Sequence, residues 1–306
     1  MLSFLIPSYN YNCTDLVFDI HKQAGELKKS LSGFFDFEIL VADDCSTDEK
    51  KIQQNSVIES WEGCRFFRFE KNMGRARTCN FLAMQAKFDY LVLMDCDALV
   101  CTDDFVKTYW ENRDNAEVVC GSLRNPEVCP TGGELRFFYE KEAMKRRMVA
   151  FRMKHPYAHF TTFNVLFHRE VFSHVQFDER CVEYGYEDVL MGVMLGKNGY
   201  AVSHIENPLV HNGIDPSAVY LKKVETSLRV LNRLGEPLQS ASPLVRMMRR
   251  IQKVGLLPLY RLFYRLFQKR LYANLIGLKP SMFLFKLYKL GYYIALDNET
   301  GKKKCK

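Results

Sequence analysis

Residues 91–100, Leu-Val-Leu-Met-Asp-Cys-Asp-Ala-Leu-Val, set two carboxylates one residue apart inside an apolar run. Such a run reads as a buried strand, and an unpaired acid is costly inside one, so Asp95 and Asp97 belong at its exposed end. In an open α/β sheet the carboxyl ends of the strands are where ligands bind. Alternation along an extended chain points both acids to one side, within reach of one hard divalent cation. The spacing equally suits a turn whose aspartates cap a helix starting near Thr102-Asp103-Asp104.

The chain on either side narrows the fold. A short apolar strand spans 2–8 and is stopped by Pro7, with Tyr9 and Asn10 just beyond. A helical pattern runs to about Leu31, and a second strand over 37–42 ends in Asp43-Asp44. A helix over 48–60, a strand over 65–69 and a helix opened by Asn72-Met73-Gly74 lead into the acid-bearing strand. Short strands alternating with helices of 10–15 residues predict a mostly parallel sheet flanked by helices. After a strand near 118–121 come a charged helix over 134–154, a β-prone stretch over 160–167 and a helix over 187–197 closed by Gly199. A last strand over 200–205 and a helix over 216–234 complete the body. At 306 residues and 47% hydrophobic content, the chain can bury one large core with a small appendage.

Net charge hides an asymmetry. Residues 240–306 carry fifteen lysines and arginines against two acids, so an acidic body over 1–235 is followed by a basic tail over 236–306. In the tail Leu244, Val245, Met248 and Ile251 alternate at helical spacing with Arg246, Arg249 and Arg250. Leu262, Phe263, Leu266 and Phe267 share a face beside Arg261, Arg265 and Lys269, and a third segment follows Pro280. No uncharged stretch reaches the roughly 20 residues a spanning helix needs. Basic helices with apolar opposite faces predict contact with an anionic membrane surface through 243–295, with a hairpin packed on the body or a dimer contact as the alternatives. Nucleic acid is a poor partner, because so many Leu and Phe side chains would stay exposed.

Five motifs stand in order: Ile6-Pro7-Ser8-Tyr9-Asn10, Val41-Ala42-Asp43-Asp44-Cys45-Ser46-Thr47-Asp48, Asn72-Met73-Gly74 through Asn80, Asp95-Cys96-Asp97, and Tyr184-Gly185-Tyr186-Glu187-Asp188. In these the chain resembles bacterial-type, inverting family 2 glycosyltransferases of the GT-A fold, over residues 1–235. The resemblance implies an α/β catalytic domain with a C-terminal helical extension. It further implies a nucleotide-sugar donor, a UDP-sugar first, and Mn or Mg as cofactor. Asp44 would accept from the uracil N3 and Tyr9 would stack on the base, beside Pro7; an Asx turn with a helix cap is the alternative for residues 43–48.

Backbone amides at Asn72 and Gly74 and the guanidinium of Arg77 would lie at the diphosphate, with Arg75 left to solvent. Asp95 and Asp97 become the metal clamp, and His211, in a loop after the last strand, a third metal ligand. Asp188 is implied as the general base and Glu187 as an acceptor contact or brace; two acids also simply suit a helix start. A base on the face opposite the leaving group means inversion.

The chain departs from the family pattern at Cys45 and Cys96, both small, and at Leu190, where an acid is usual. No Q-x-x-R-W motif surrounds Trp61 or Trp110, so one sugar per encounter is expected. The expected acceptor is a glycan or lipid-linked hydroxyl in cell-surface polysaccharide or lipopolysaccharide synthesis. A nucleotidyltransferase would need a Gly-rich loop after the first strand, where Pro7-Ser8-Tyr9-Asn10 stands; a non-catalytic membrane adaptor would have no use for Asp188. No leader pattern is read at Met1–Pro7, and the ten cysteines show no C-x-x-C or zinc spacing. The expectation is a cytoplasmic protein with reduced thiols, peripheral on the inner face of the membrane. Cys13 and Cys305 are the thiols to check for reactivity.

Overall fold

The computed structural model describes residues 1–304, with side chains through residue 296. Two compact units divide it: residues 1–126, 145–182 and 187–213 form one, and residues 127–144, 183–186 and 214–306 the other. The boundary thus runs along different lines from the change of composition at residue 235.

The first unit is built on one eight-stranded sheet. Its strands are β1 (Leu2–Ser8), β2 (Phe37–Asp43), β3 (Cys64–Arg68), β4 (Tyr90–Met94), β5 (Ala98–Val100), β6 (Val118–Arg124), β7 (Asn164–His168) and β8 (Val202–His211), in the order β3-β2-β1-β4-β7-β6-β8-β5. The helices along the chain are α1 (Thr14–Ser30), α2 (Glu49–Ser56), α3 (Arg75–Gln85), α4 (Phe105–Asn112), α5 (Glu134–Arg147), α6 (Val149–Arg152), α7 (Arg169–His174) and α8 (Glu187–Lys197).

The sheet is mixed. From β3 through β2 and β1 to β4 the strands are parallel, so the carboxyl ends of β1, β2 and β4 share one edge. The sheet stays mostly parallel, as expected: beyond β4, β6 and β8 pair parallel, and β7, antiparallel to both β4 and β6, and β5, antiparallel to β8, are the two exceptions.

Register explains the core. Phe4 pairs with Ile39 and Val92 across three strands, and Leu5 with Leu40 and Leu93; both rows are buried, since helices cover both faces of the sheet. Pro7 is tolerated because β4 pairs with β1 only as far as Leu5. The charged helix expected over 134–154 breaks at Met148, whose backbone is extended, into α5 and α6. A buried arginine holds α6 down: Arg152 donates from Nη1 to Gly121 O at 2.6 Å and from Nη2 to Ile205 O at 2.9 Å, with His204 Nδ1 also 2.9 Å from Nη1.

The second unit contains α9 (Ser217–Leu234), α10 (Leu238–Ala241), α11 (Pro243–Lys253), α12 (Leu257–Leu275) and α13 (Met282–Lys304), with most of α5. α12 and α13 approach so closely that a Cβ on Gly291 would lie 2.1 Å from the Tyr264 ring. α11 turns Val245 and Met248 inward, and α13 buries Phe285, Tyr288 and Tyr293. α12 keeps Leu259, Leu262 and Leu266 exposed, at the i, i+3, i+7 spacing of one helix face, next to Arg265 and Lys269. Among the described residues no helix is long and apolar enough to cross a membrane. Cys13 is fully buried, and burial pushes its thiol up to about 12, which makes it a poor nucleophile; Cys305 lies outside the described residues.

Candidate active site

The apolar run 91–100 is two strands, not one. β4 ends at Met94, the Ala98 amide donates back to Asp95 O at 3.2 Å, and β5 starts at Ala98. The acids therefore occupy the turn between them, and neither caps α4. β5 pairs antiparallel with β8 in the register Ala98 to His211, which puts Asp97 beside the end of β8. The Asn212 amide donates to Asp97 O at 2.9 Å, and His211 Nε2 lies 3.3 Å from Asp97 Oδ2. His211 is buried, with Phe163 edge-on at 5.6 Å.

His211 was expected in a loop after a strand ending near 205. β8 instead continues to it, with a bulge in β8 between His204 and Pro208, against two steps from Cys120 to Ser122 in β6, so that Pro208 falls at an irregular point of the ladder where its missing amide is tolerated.

Asp95 is held from two sides. Its amide donates to Phe163 O at 3.1 Å, and its carboxylate is paired with Arg75 Nη2. Arg75 is the first residue of α3, placed by Gly74, whose φ of +85° suits glycine and where an added Cβ would lie 3.1 Å from Val182 O. Its guanidinium also lies 4.0 Å from Glu187 Oε1 and 5.9 Å from the Phe177 ring centroid. Burial opposes the Arg75 charge most strongly, but the attractions of Asp95, Cys79 and Glu187 and the hydrogen bond to Asp95 together outweigh it and hold the pKa above the ordinary value.

The two arginines therefore exchange the positions expected of them. Arg75, assigned to solvent, faces the acids, and Arg77 donates from Nε to Glu179 at 3.1 Å on the surface.

Glu187 and Asp188 form the first turn of α8. Asp188 Oδ1 accepts from the Val189 amide at 2.7 Å. Burial, and then the charge of Glu187, raise the Asp188 carboxyl to about 6. Asp95, Arg75, Glu187 and Asp188 thus interact as one cluster.

On the other side of the edge, the ends of β1 and β2 are braced together. Asn10, at φ 50°, accepts through Oδ1 from the Thr47 and Asp48 amides at 2.8 and 3.1 Å, and its own amide donates to Ser46 Oγ at 2.7 Å. Asp43 accepts from Ser46, and Asp48 caps α2 through the Lys51 amide. Pro7 is buried and pairs with Ala42, while Tyr9 projects half-exposed from this brace.

Asp44 differs from expectation. Its two oxygens accept from the Met73 and Gly74 amides at 2.6 and 2.9 Å, and Asn72 Nδ2 donates to its carbonyl at 3.0 Å. Of the amides expected to face a diphosphate, that of Gly74 is taken by this carboxylate together with that of Met73, because buried donors need an acceptor and Asp44 stands opposite them.

A carboxylate and an imidazole already facing each other, Asp97 and His211, are donors that suit Mn or Mg. A Cβ on Gly213 would lie 2.0 Å from Asp97 Oδ2, so glycine keeps the carboxylate's place open. The pair fits a divalent cation. Asp95, the third expected ligand, is turned to Arg75, and among the described residues no three His, Cys, Asp or Glu side chains are gathered as a metal cluster. Sequence reasoning left Arg75 to solvent and gave no role to Asn10, to Tyr11, whose hydroxyl accepts from Asn212 at 3.1 Å, or to Gly213. The Asn-Gly pair after His211 was the available signal.

A family model described as glycosyl transferase family 2 matches residues 3–176. No curated protein matches the chain. Among solved structures, the mannosyltransferase PcManGT from Pyrobaculum calidifontis, in complex with GDP-Man and Mn2+, is similar at a TM-score of 0.52 and 14% identity, over 97% of this chain and 86% of that one. Residues 1–349 of S. aureus TarS are similar at 0.50 and 15%, over 99% and 91%. Glucosyl-3-phosphoglycerate synthase from Mycobacterium tuberculosis, with Mn2+, UDP and phosphoglyceric acid, is similar at 0.50 and 16%, over 78% and 79%. These likenesses show the GT-A fold, and the family model, spanning more than half of the sequence, completes the assignment: the chain belongs to glycosyl transferase family 2 and is a glycosyltransferase.

Proposed function

We propose that this enzyme moves one sugar from a nucleotide-sugar, a UDP-sugar first, to a hydroxyl of a glycan or lipid-linked acceptor, with inversion and with the help of a divalent cation. The observation that carries the reading is that the single turn bearing Asp95 and Asp97 reaches His211 through Asp97 and the Glu187-Asp188 pair through Asp95 and Arg75, all within the first unit and with the donor-side edge of β1 and β2 in that same unit. In this reading Asp188 takes the proton from the acceptor hydroxyl. A carboxyl raised to about 6 suits that work, being ionised at neutral pH yet more basic than an ordinary aspartate. Glu187 braces Arg75 and the acceptor side.

Asp97 and His211, joined by Asp95, would hold Mn or Mg, which when bound offsets the charge of the departing nucleoside diphosphate. The similar mannosyltransferase and phosphoglycerate synthase were each solved with Mn2+ and a nucleotide, which supports the assignment. Tyr9 stacks on the base, with Pro7, Asn72 and Gly74 shaping the donor site. Asp44 serves it by fixing the 72–74 loop.

Residues 1–235 are read as the catalytic part and 236–306 as its extension. The exposed Leu259, Leu262 and Leu266 beside Arg265 and Lys269 support seating on an anionic membrane, on its cytoplasmic face, where lipid-linked precursors of surface polysaccharide or lipopolysaccharide lie. The test is release of nucleoside diphosphate from UDP, GDP and dTDP sugars with Mn, with Mg and with EDTA, for wild type and Asp188→Asn. Metal-dependent turnover of one donor, lost in the variant while donor binding persists, supports the reading. Absence of donor binding with metal present overturns it.

A further inference from the structure

Arg75 sits where a fixed cation is least at home. It opens α3, and the positive end of a helix repels a guanidinium and favours a phosphate. The pairing with Asp95 offsets that repulsion, but one donor is left over: Nη1 is enclosed by protein and has no hydrogen-bond partner, with Glu187 Oε1 no nearer than 4.0 Å. Asp95, in turn, is the one expected metal ligand not gathered with Asp97 and His211, and the group that turns it away is this guanidinium. A cation already on a carboxylate competes with any second cation for it, and a guanidinium displaced from a carboxylate matches a phosphate oxygen pair equally well.

Resting on the donor reading above, we propose that Arg75 is a resident counter-ion at the donor site. It holds Asp95 in the ligand-free enzyme and exchanges it for the donor's diphosphate when Asp95 joins Asp97 and His211 on a divalent cation. Metal and nucleotide then bind in support of each other, because each removes one partner of the same ion pair.

The test measures Mn2+ binding alone, from the paramagnetic resonance of the free ion, and binding of UDP and GDP by calorimetry at saturating Mn2+. Wild type, Arg75→Gln and Arg75→Lys are compared after a circular dichroism melt of each. Arg75→Gln is expected to take up Mn2+ alone about tenfold more tightly and to bind the nucleotide about tenfold more weakly. Arg75→Lys keeps a charge beside Asp95, so its Mn2+ affinity stays near wild type while nucleotide binding weakens. Mn2+ binding that is unchanged or weaker in Arg75→Gln overturns the exchange and leaves the glycosyltransferase donor reading standing. If Arg75→Gln does not fold, Arg75→Lys decides, and undiminished nucleotide affinity in it overturns the proposal. A wild-type protein that binds neither UDP nor GDP with Mn2+ removes the donor reading and this inference together.

Discussion

Gly213 lies against the Asp97 carboxylate so closely that a side chain on it would occupy the position of Oδ2. Gly213→Ala is therefore expected to push Asp97 away from His211. Stability should fall by about 1–3 kcal/mol, the ordinary cost of overpacking, and the Mn2+ concentration for half-maximal turnover should rise. Thermal melts and a metal titration check the two effects separately; a variant with wild-type metal dependence would refute the placement of Asp97 in the metal site.

Removal of metal gives the complementary result. EDTA should abolish turnover and added Mn2+ restore it, while His211→Ala should need about tenfold more metal or worse. If turnover persists in EDTA, neither Asp97 nor His211 acts through a cation.

Asp188→Asn is expected to lower kcat by about 10²–10⁴-fold with donor affinity unchanged, as loss of a general base would. In the wild type kcat/KM should rise with pH through a limb near 6, where the raised Asp188 carboxyl ionises. A flat profile from pH 5 to 8 would assign the base elsewhere.

His204 makes fold stability depend on pH. Burial, with the charge of Arg152 adding to it, lowers the pKa of this histidine from 6.5 to about 4. The unfolded chain then binds more protons between those values, so stability falls as pH drops through that window. The loss is about 2 kcal/mol between pH 7 and pH 5. Urea unfolding at both pH values measures it, and His204→Gln should flatten the difference.

For the tail, Leu262→Ser with Leu266→Ser should reduce sedimentation with phosphatidylglycerol vesicles by at least about tenfold. The melting temperature should change little, because both side chains are exposed. Equal sedimentation of variant and wild type would count against membrane seating by α12.

Most strands and helices were legible because alternation and 3.6-residue periodicity are local. β1, β2 and α8 begin where the pattern predicts. β5 was not legible, since three apolar residues beyond an acidic turn read as the same run as β4. The end of β8 was hidden by Pro208, which argues against a strand until the bulge in β8 just before it is known. The placement of Arg75 against the acids, with Arg77 on the surface, was hidden for a related reason. α3 buries Ala76, Thr78, Cys79, Asn80, Leu82 and Ala83, so its sequence has little amphipathic contrast to say which arginine faces inward. Asp44 is the subtler case: a carboxylate at a strand end advertises ligand binding, and nothing local shows that backbone amides 29 and 30 residues further on will claim it first.

The three-residue strand β5 also orders events in time. It has β8 as its sheet neighbour, and β8 lies at the far end of the first unit in sequence, so the Asp97 to His211 contact cannot form until that whole unit has been synthesised and the sheet closed. Contacts of such long sequence separation are the slow ones in folding. A nascent or partly unfolded chain thus lacks the Asp97–His211 pair even when β1, β2 and β4 are in place, and on the metal role proposed for that pair Mn2+ uptake would read out directly whether a preparation has finished folding.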